Sequence, residues 1–310
     1  MKKLIRIGTR ESQLAVWQAN HVKELLSKLG FESELVYIKS EGDIDLKTPL
    51  YEMGVQGIFT RSLDIALLSD KIDIAVHSLK DVPTQLPKGI VQAAVLKRAS
   101  YKDLLVYNNE QLIIDNEQLI TNLQLIIATS SIRRKAQWLN RYPYHSIENL
   151  RGNVNTRLKK VEESNWDGAI FAAAGLERIN VRPEKSIELD WMLPAPAQGA
   201  IVIACKEEDQ FSFEASIQLN DNNTALCTKI ERDFLRALLG GCSTPISALA
   251  EIDNNEIFFR GNILSVDGKH KVAIEKRIAV TDAEGAGTKL ANELLSNGGQ
   301  AIADSINAGK

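Results

Sequence analysis

Short apolar runs alternate with segments of helical periodicity through the first two-thirds of the chain. The runs that predict buried strands here lie at residues 4–7, 35–38, 72–76 and 90–96. After the first run, apolar positions recur at helical spacing from a capping Ser12 to Leu29, and Gly30 ends this helix. Residues 60–68 form the next predicted helix. The alternation predicts a sheet of mostly parallel strands.

The same pattern restarts after Ser100 and predicts a second α/β unit. Its predicted strands lie at residues 104–107, 125–128 and 169–174. Residues 109–113 and 116–120 repeat the sequence Asn-Glu-Gln-Leu-Ile, and we interpret the insertion at 109–122 as a surface helix or loop, with no function assigned. Residues 193–199 predict an extended crossover, and the apolar run 200–204 predicts a strand that returns to the first sheet.

The last third of the chain has a different pattern. Thr224 is positioned to cap a helix that runs to Leu239, just before Gly240-Gly241-Cys242. Runs at 257–264 and 271–280 predict a hairpin joined by an Asp-Gly turn. One amphipathic helix at 283–295, closed by two glycines, completes a small α+β domain.

Composition narrows the classes of function. The chain has 310 residues and a formal net charge of −3, which argues against a protein that binds nucleic acid through a basic surface. No apolar run approaches the roughly 18 residues of a membrane helix. The first residues do not form an export signal, and three cysteines do not make a disulfide framework, so we expect a cytoplasmic protein with free thiols.

Arginines recur at turns after strands and at helix starts. They are Arg10, Arg133, Arg134, Arg151, Arg157 and Arg178. A guanidinium binds carboxylate or phosphate with two parallel hydrogen bonds, and helix N-termini add unpaired N–H groups. For any one of these arginines taken alone, a solvated surface charge is the favoured explanation. Their recurrence in an acidic protein predicts a cleft for a ligand with several anionic groups.

Two further residues are candidates for chemistry. Cys242 lies between two glycines and Ser-Thr-Pro, so a tight turn exposes it as an attachment point or nucleophile, although a buried structural thiol is the alternative. Cys205 and Cys227 fit buried packing positions. Asp81 follows a strand, where α/β folds place ligands; it either contacts a substrate or caps the turn before Pro83. The four histidines are scattered, and no metal site is predicted.

Seven motifs, in matching order from about residue 4 to residue 300, resemble the porphobilinogen deaminase family. They are Ile-Gly-Thr-Arg-x-Ser-x-Leu-Ala-x-x-Gln at 7–18, Ala-Val-His-Ser-Leu-Lys-Asp-Val-Pro at 75–83, Thr-Ser-Ser-Ile-Arg-Arg at 129–134, Leu-Arg-Gly-Asn-Val-x-Thr-Arg at 150–157, Ala-Ala-Gly-Leu at 173–176, Pro-Ala-Gln-Gly-Ala at 196–200 and Gly-Gly-Cys-x-x-Pro at 240–245.

The resemblance implies an α/β fold of three domains. The first two, residues 1–98 plus 198–218 and residues 99–197, resemble the halves of type II periplasmic binding proteins around a cleft, and the third, residues 219–310, is a small α+β domain that carries the cysteine. It implies a transferase, hydroxymethylbilane synthase, that condenses four porphobilinogens with loss of ammonia and releases linear hydroxymethylbilane by hydrolysis. The cofactor implied is a dipyrromethane bound to Cys242 by a thioether, and a monomer is expected.

The resemblance also implies roles for individual residues. Asp81 matches the catalytic aspartate that holds pyrrole N–H groups and stabilises a cationic azafulvene-like intermediate. The cofactor- and substrate-binding positions are matched by Arg10, Gln18, Ser78, Lys80, Thr129, Ser131, Arg133, Arg134, Arg151, Arg157, Arg178 and Gln198. One departure is Gln56, where a mobile loop of the family often has a lysine, so a charge contact from that loop is in doubt.

Two functions from other classes compete with the transferase. A binding module that captures a small anion lacks a reason for the cysteine turn and would carry an export signal. A regulatory or nucleic-acid-binding protein that uses the arginines on phosphates conflicts with the negative net charge. The mass of the intact protein separates the three, because only the transferase carries two linked pyrrole units.

Overall fold

The computed structural model describes residues 4–39, 60–108, 113–115, 118–120, 124–238 and 244–308. The chain forms two compact units. Of the described residues, the first unit comprises those within 4–39, 60–99 and 199–226, and the second comprises those within 100–198 and 227–308. Helices and strands alternate in both, so the predicted mixed α/β class is confirmed.

The first unit is built on a five-stranded sheet of order β2-β1-β3-β12-β4. Its strands are β1 (Ile5–Thr9), β2 (Ser33–Tyr37), β3 (Ile74–Ser78), β4 (Ile90–Val95) and β12 (Ile201–Lys206). Strands β1, β2 and β3 are parallel, and β12 runs antiparallel to β3 and β4, so the predicted return strand is confirmed. The helices are α1 (Gln13–Lys28), α2 (Arg61–Leu68) and α6 (Gln210–Ile217). Val22 and Leu26 of α1 pack with Ile5 and Ile7 in a core closed to solvent.

The second unit contains a five-stranded sheet of order β11-β5-β10-β8-β9. Its strands are β5 (Asp103–Tyr107), β8 (Ile126–Ala128), β9 (Ser146–Glu148), β10 (Gly168–Ala172) and β11 (Ser186–Glu188). Strands β10, β8 and β9 are parallel neighbours, and β5 runs antiparallel to β10 and β11. The helices that follow strands β8, β9 and β10 are α3 (Ile132–Arg141), α4 (Val154–Glu163) and α5 (Ala173–Arg178).

The same unit also contains an antiparallel three-stranded sheet. Its strands are β13 (Ile246–Asp253), β14 (Glu256–Leu264) and β15 (Lys271–Ala279). Its helices are α8 (Ala286–Leu294), α9 (Gln300–Ala308) and the part of α7 (Asn222–Ala237) that begins at Cys227. Phe234 of α7 packs edge-on against Phe259 of β14, with ring centroids 5.0 Å apart. Gly261 leaves room for these rings, since a Cβ there would lie 2.7 Å from Phe234.

Several predicted elements were wrong in kind. The repeated segment predicted as a helix or loop forms a two-stranded ribbon of β6 (Ile113–Asp115) and β7 (Gln118–Ile120). Residues 173–174, predicted as strand, begin α5. The cap of α7 is Asp221, whose Oδ1 accepts the Thr224 N–H at 2.8 Å, so Thr224 is not the cap.

The prediction also missed α6, the strand β13 and the helix α9. The glycines expected to close the amphipathic helix do interrupt it, because Asn297 and Gly298 have non-helical backbone angles, with a φ of 103° at Gly298. The part that was missed is the second helix, α9, which follows this kink.

Candidate active site

In the first unit, the neighbouring parallel strands β1 and β3 bring their carboxyl ends to one edge of the sheet. Arg10 follows β1, and Ser12 caps α1 by accepting the Ala15 N–H at 3.4 Å. Residues Leu79–Asp81, expected as a loop, form a single 3-10 turn directly after β3. The edge thus collects residues from both strands in the position where α/β sheets bind ligands.

A hydrogen bond joins the two sides of this edge. Gln18 of α1, 2 % exposed, donates from Nε2 to the Ser78 Oγ at 2.8 Å. The adjacent Leu79 N–H donates to the Ala200 carbonyl at 3.0 Å, which ties the turn to the strand returning from the crossover. Ser78, Lys80 and Asp81 are half-buried. Gln18 therefore holds Ser78 in place beside the turn that carries Lys80 and Asp81.

The Asp81 carboxylate is half-buried at this edge. Within the part of the chain that the structure describes, it accepts no hydrogen bond, and the turn is closed by the Val82 N–H donating to the Leu79 carbonyl. The turn-capping role considered for Asp81 is therefore not realised among these residues.

His77 precedes the turn and is buried in β3. Burial lowers its pKa to about 4, and the nearby Arg10 lowers it further. Its Nε2 is closed to solvent and has no hydrogen-bond partner among the described residues. His77 is therefore neutral at physiological pH.

In the second unit, the parallel neighbours β10, β8 and β9 place a second group of predicted residues at one edge. Ser131 caps α3 by accepting the Arg134 N–H at 3.4 Å, and Asn153 caps α4 by accepting the Thr156 N–H at 3.0 Å. The N-termini of α3 and α4 carry partial positive charge. Thr129 is buried, and its Oγ1 accepts the Ser131 N–H at 3.2 Å.

Three further arginines belong to this edge. Arg151 is buried just ahead of α4, and Arg157 donates from Nε to the Gly152 carbonyl at 2.7 Å. Arg178, at the end of α5, is half-buried. Removal from water lowers its pKa to about 10, although neighbouring Glu177 opposes the change. The protein thus holds a poorly solvated cation here, which favours an anionic partner.

A buried carboxylate that sequence reasoning missed organises the other two arginines. Asp103 is fully buried. Its Oδ2 accepts from the Arg133 Nη2 at 2.7 Å, and its Oδ1 accepts from the Arg134 Nη2 at 2.7 Å. Because β5 runs antiparallel to β10, its first residue lies opposite Ala172, at the carboxyl end of β10. The available signal was a carboxylate at the head of the apolar run Asp103–Tyr107.

The charges of this cluster do not cancel. Two guanidiniums surround one carboxylate, and their fields hold the pKa of Asp103 well below its usual range despite burial. Burial lowers the pKa of Arg133, with Asp103 opposing that change. The cluster keeps one excess positive charge in a region with little water, where an anion is stabilised strongly.

The crossover from the second unit is tied to this cluster. Gln198, 1 % exposed, donates from Nε2 to the Asp103 Oδ1 at 2.9 Å, and the Leu193 carbonyl accepts from the Arg133 Nη1 at 2.7 Å. Ala197 has a φ of 62°, and its N–H donates to the buried Glu231 carboxylate at 2.6 Å. The other oxygen of Glu231 accepts the Ala250 N–H at 2.8 Å. Gln198 thus lies within a network of buried polar groups.

The remaining residues considered for the site are cysteines and one glutamine. Cys242 and Gln56 lie outside the described residues. Cys205 and Cys227 are buried, as predicted. Across the described ranges, no group of three or more His, Cys, Asp or Glu side chains is placed to hold a metal ion. Over the same residues, no helix has the length and apolar character needed to cross a bilayer.

Arginines, hydroxyls and a carboxylate at the carboxyl edges of two α/β sheets are the features of a protein that handles a polyanionic ligand. Two family models match the chain: "Porphobilinogen deaminase, dipyromethane cofactor binding domain" over residues 5–214, and "Porphobilinogen deaminase, C-terminal domain" over residues 225–296. A porphobilinogen deaminase of Chlorobium phaeobacteroides (strain BS1) is 39% identical over 310 residues, covering 97% of each chain. The chain belongs to the porphobilinogen deaminase family.

Among solved structures, an ancestral cationic amino acid solute binding protein matches with a TM-score of 0.44 and 15% identity, covering 70% of this chain and 87% of its own. The probable amino-acid ABC transporter extracellular-binding protein YtmK of Bacillus subtilis matches with a TM-score of 0.41 and 14% identity, covering 70% and 91%.

Membership of the family gives the activity and the cofactor. The chain is a transferase of tetrapyrrole biosynthesis with hydroxymethylbilane synthase activity, and it joins four porphobilinogens with loss of ammonia. The units are added to a dipyrromethane primer. Residues 5–214 match the cofactor-binding domain that holds this primer.

Proposed function

We propose that Asp81 is the catalytic carboxylate of this transferase. A porphobilinogen that loses ammonia becomes a cation, and a fixed carboxylate stabilises that cation more than the neutral substrate. The observation that supports this role most directly is the Asp81 carboxylate itself. It is half-buried on the turn after β3, and no described residue occupies it with a hydrogen bond.

The residues at the edge of the second unit fit a dipyrromethane. Each pyrrole carries an acetate and a propionate, so the group is a polyanion, and the cluster around Asp103 holds an excess positive charge. The Nε of Arg133 is buried and has no hydrogen-bond partner within the described ranges, so the cluster is not fully satisfied by the protein alone. When bound, the dipyrromethane supplies the pyrrole carbon to which the first new unit is joined.

The chain's own residues bind and orient the carboxylates of the primer and of the growing chain. In the second unit we assign this role to Thr129, Ser131, Arg133, Arg134, Arg151, Arg157, Arg178 and Gln198. In the first unit, Lys80 and Arg10 supply positive charge, and Gln18 orients the hydroxyl of Ser78. Guanidinium pairs fix both the position and the plane of a carboxylate.

We further propose that Cys242 carries the primer through a thioether, since the glycine turn favours exposure of this thiol and the other two cysteines are buried. The three-domain division, a monomeric state and a cytoplasmic location complete the proposal. The low cysteine count agrees with a reducing compartment.

The test of the attachment is the mass of the intact, full-length protein followed by peptide mapping. The parent chain should exceed its sequence mass by two linked pyrrole units, with the adduct on the peptide that contains Cys242. Cys242→Ala should have the sequence mass and no turnover, whereas the matched control Cys205→Ala should keep the adduct. An adduct that maps to Cys205 or Cys227 would overturn the assignment.

A further inference from the structure

We infer that Gln137 is a positioning residue of the transferase, which fixes the strand that follows Cys242 to helix α3. The N-terminus of α3 lies at the carboxyl edge of the second sheet, where Ser131 caps it. The inference rests on the proposed attachment of the primer to Cys242, and it adds a residue that holds the attached primer in register with this edge.

The side-chain amide of Gln137 is fully used by the protein. Its Oε1 accepts the Leu193 N–H at 2.9 Å, and its Nε2 donates to the Leu193 carbonyl at 2.9 Å and to the Ser247 Oγ at 3.1 Å. Gln137 is 4% exposed and Ser247 is fully buried. Both N–H donors and the acceptor oxygen are thus occupied away from water, and only glutamine offers both kinds of group at this length.

The amide joins three segments of the second unit that are distant in sequence. Gln137 belongs to α3, Leu193 to the crossover and Ser247 to β13. Next to these contacts, the Ala248 N–H donates to the Pro194 carbonyl at 3.3 Å. The crossover and β13 are therefore direct neighbours here, and Gln137 ties both of them to the helix.

The tie to β13 bears on the primer through the length of the chain. Cys242 lies outside the described residues, five positions before Ser247 in the sequence. Five residues span at most about 18 Å, so the position of Ser247 limits where a group attached to Cys242 can lie. A misplacement of about 1 Å between reacting groups can cost about 10²-fold in rate. Loss of the tie should therefore slow the additions.

The first variant of the full-length chain is Gln137→Met, which keeps the length of the side chain and removes its donors and its acceptor. The fraction carrying the two-pyrrole adduct is measured by intact mass, and the first addition of porphobilinogen to the loaded protein by single turnover. The loaded fraction should stay within threefold of the parent, because attachment has the whole time of expression to reach completion. The addition should slow at least tenfold.

Loss of three buried hydrogen bonds also lowers the thermal midpoint, so two controls isolate positioning from stability. Val161→Ala removes buried apolar groups from α4 in the same unit and leaves the Gln137 contacts intact. Asn140→Ala removes a hydrogen bond of 2.7 Å from the same helix to the Gly268 carbonyl, in the turn between β14 and β15. Both controls should add porphobilinogen within threefold of the parent rate, measured well below every midpoint. Equal slowing in Val161→Ala would mean that Gln137 acts through general stability, and the inference would be wrong.

A second variant separates β13 from the crossover. The Leu193 carbonyl also accepts from the Arg133 Nη1 at 2.7 Å, so Gln137→Met disturbs more than one neighbour. Ser247→Ala removes only the contact to β13 and should slow the first addition at least threefold. Added to Gln137→Met it should cause no further slowing, because that contact is already lost. A parent rate in Ser247→Ala would overturn the inference, and this variant decides alone if Gln137→Met does not fold.

The outcomes also distinguish this inference from the proposed function. If the parent chain carried no adduct, or carried it on another cysteine, the proposed attachment would fail. If the adduct mapped to Cys242 and Gln137→Met added porphobilinogen at the parent rate, the attachment would stand and only the positioning role of Gln137 would fail.

Discussion

The buried histidine in β3 gives the fold a measurable dependence on pH. His77 is 7% exposed, and burial together with Arg10 lowers its pKa to about 4 from an ordinary value of 6.5. In the unfolded chain the imidazole is solvated and takes up a proton near pH 6.5. Between these two values the unfolded state binds a proton that the folded state excludes.

The sign and size of the effect follow from this difference. Where the unfolded state binds more protons, the free energy of unfolding rises with pH, so His77 stabilises the fold above pH 6.5 and this contribution is lost as the pH falls to about 4. Each pH unit between the two pKa values corresponds to about 1.4 kcal/mol, so the loss from this residue is about 3 kcal/mol. That is a substantial part of the roughly 5–15 kcal/mol that stabilises a domain.

The measurement is chemical denaturation of the parent and of His77→Gln at several pH values between 4 and 7. Glutamine does not titrate, so its own effect on packing shifts the whole curve, while the dependence on pH should become shallower by about 3 kcal/mol across the interval. His270→Gln, in an exposed turn, is the control and should keep the slope of the parent. Parallel loss of stability in the parent and His77→Gln would refute a neutral, buried His77.

Three further outcomes are expected. Asp81→Glu should keep weak activity, because the charge remains but moves by one methylene, whereas Asp81→Asn should carry its adduct yet elongate it about 10²–10³-fold more slowly in single-turnover assays; turnover equal to the parent would contradict the catalytic role. Arg151→Lys should lower kcat/KM for porphobilinogen by a factor that corresponds to about 2–5 kcal/mol, because lysine cannot bind a carboxylate at two points in a desolvated site. Near-normal kinetics would contradict two-point binding. Gln56→Lys should leave thermal stability unchanged and alter activity less than tenfold, and complete loss of activity would reveal a role of the glutamine that charge alone does not explain.

Elements that bury one face against a sheet were predictable from sequence. The helix Gln13–Lys28 and the return strand Ile201–Lys206 were found because their apolar spacing follows from what they cover. The ribbon Ile113–Asp115 with Gln118–Ile120 was not, because short repeated segments carry too little periodicity to separate strand from helix. Helix α9 was missed because the prediction stopped at the two glycines, whereas a second helix begins directly after the kink that they form.

Residues at the carboxyl edges of the two sheets were also only partly predictable from sequence. Ser78, Lys80 and Asp81 were identified because they follow directly on a strand, and this local position is readable. Asp103 was not identified, because its importance depends on the direction of β5. The apolar run Asp103–Tyr107 does not indicate whether its strand runs parallel or antiparallel to β10. Only the antiparallel direction brings the Asp103 carboxylate to Arg133 and Arg134.

The sequence separation between Asp103 and its hydrogen-bond partners also bears on the order in which this part of the molecule folds. The residue lies 30 and 31 positions before its two arginines and 95 positions before Gln198. Contacts so distant along the chain form only after the loops between them have closed, so they form slowly and late. During synthesis, Asp103 leaves the ribosome well before β10 exists to pair with β5, and it stays hydrated until Ala172 arrives opposite it. We therefore expect Asp103 to be fully enclosed beside its arginines only after β10 has paired with β5 and Gln198 has reached the cluster.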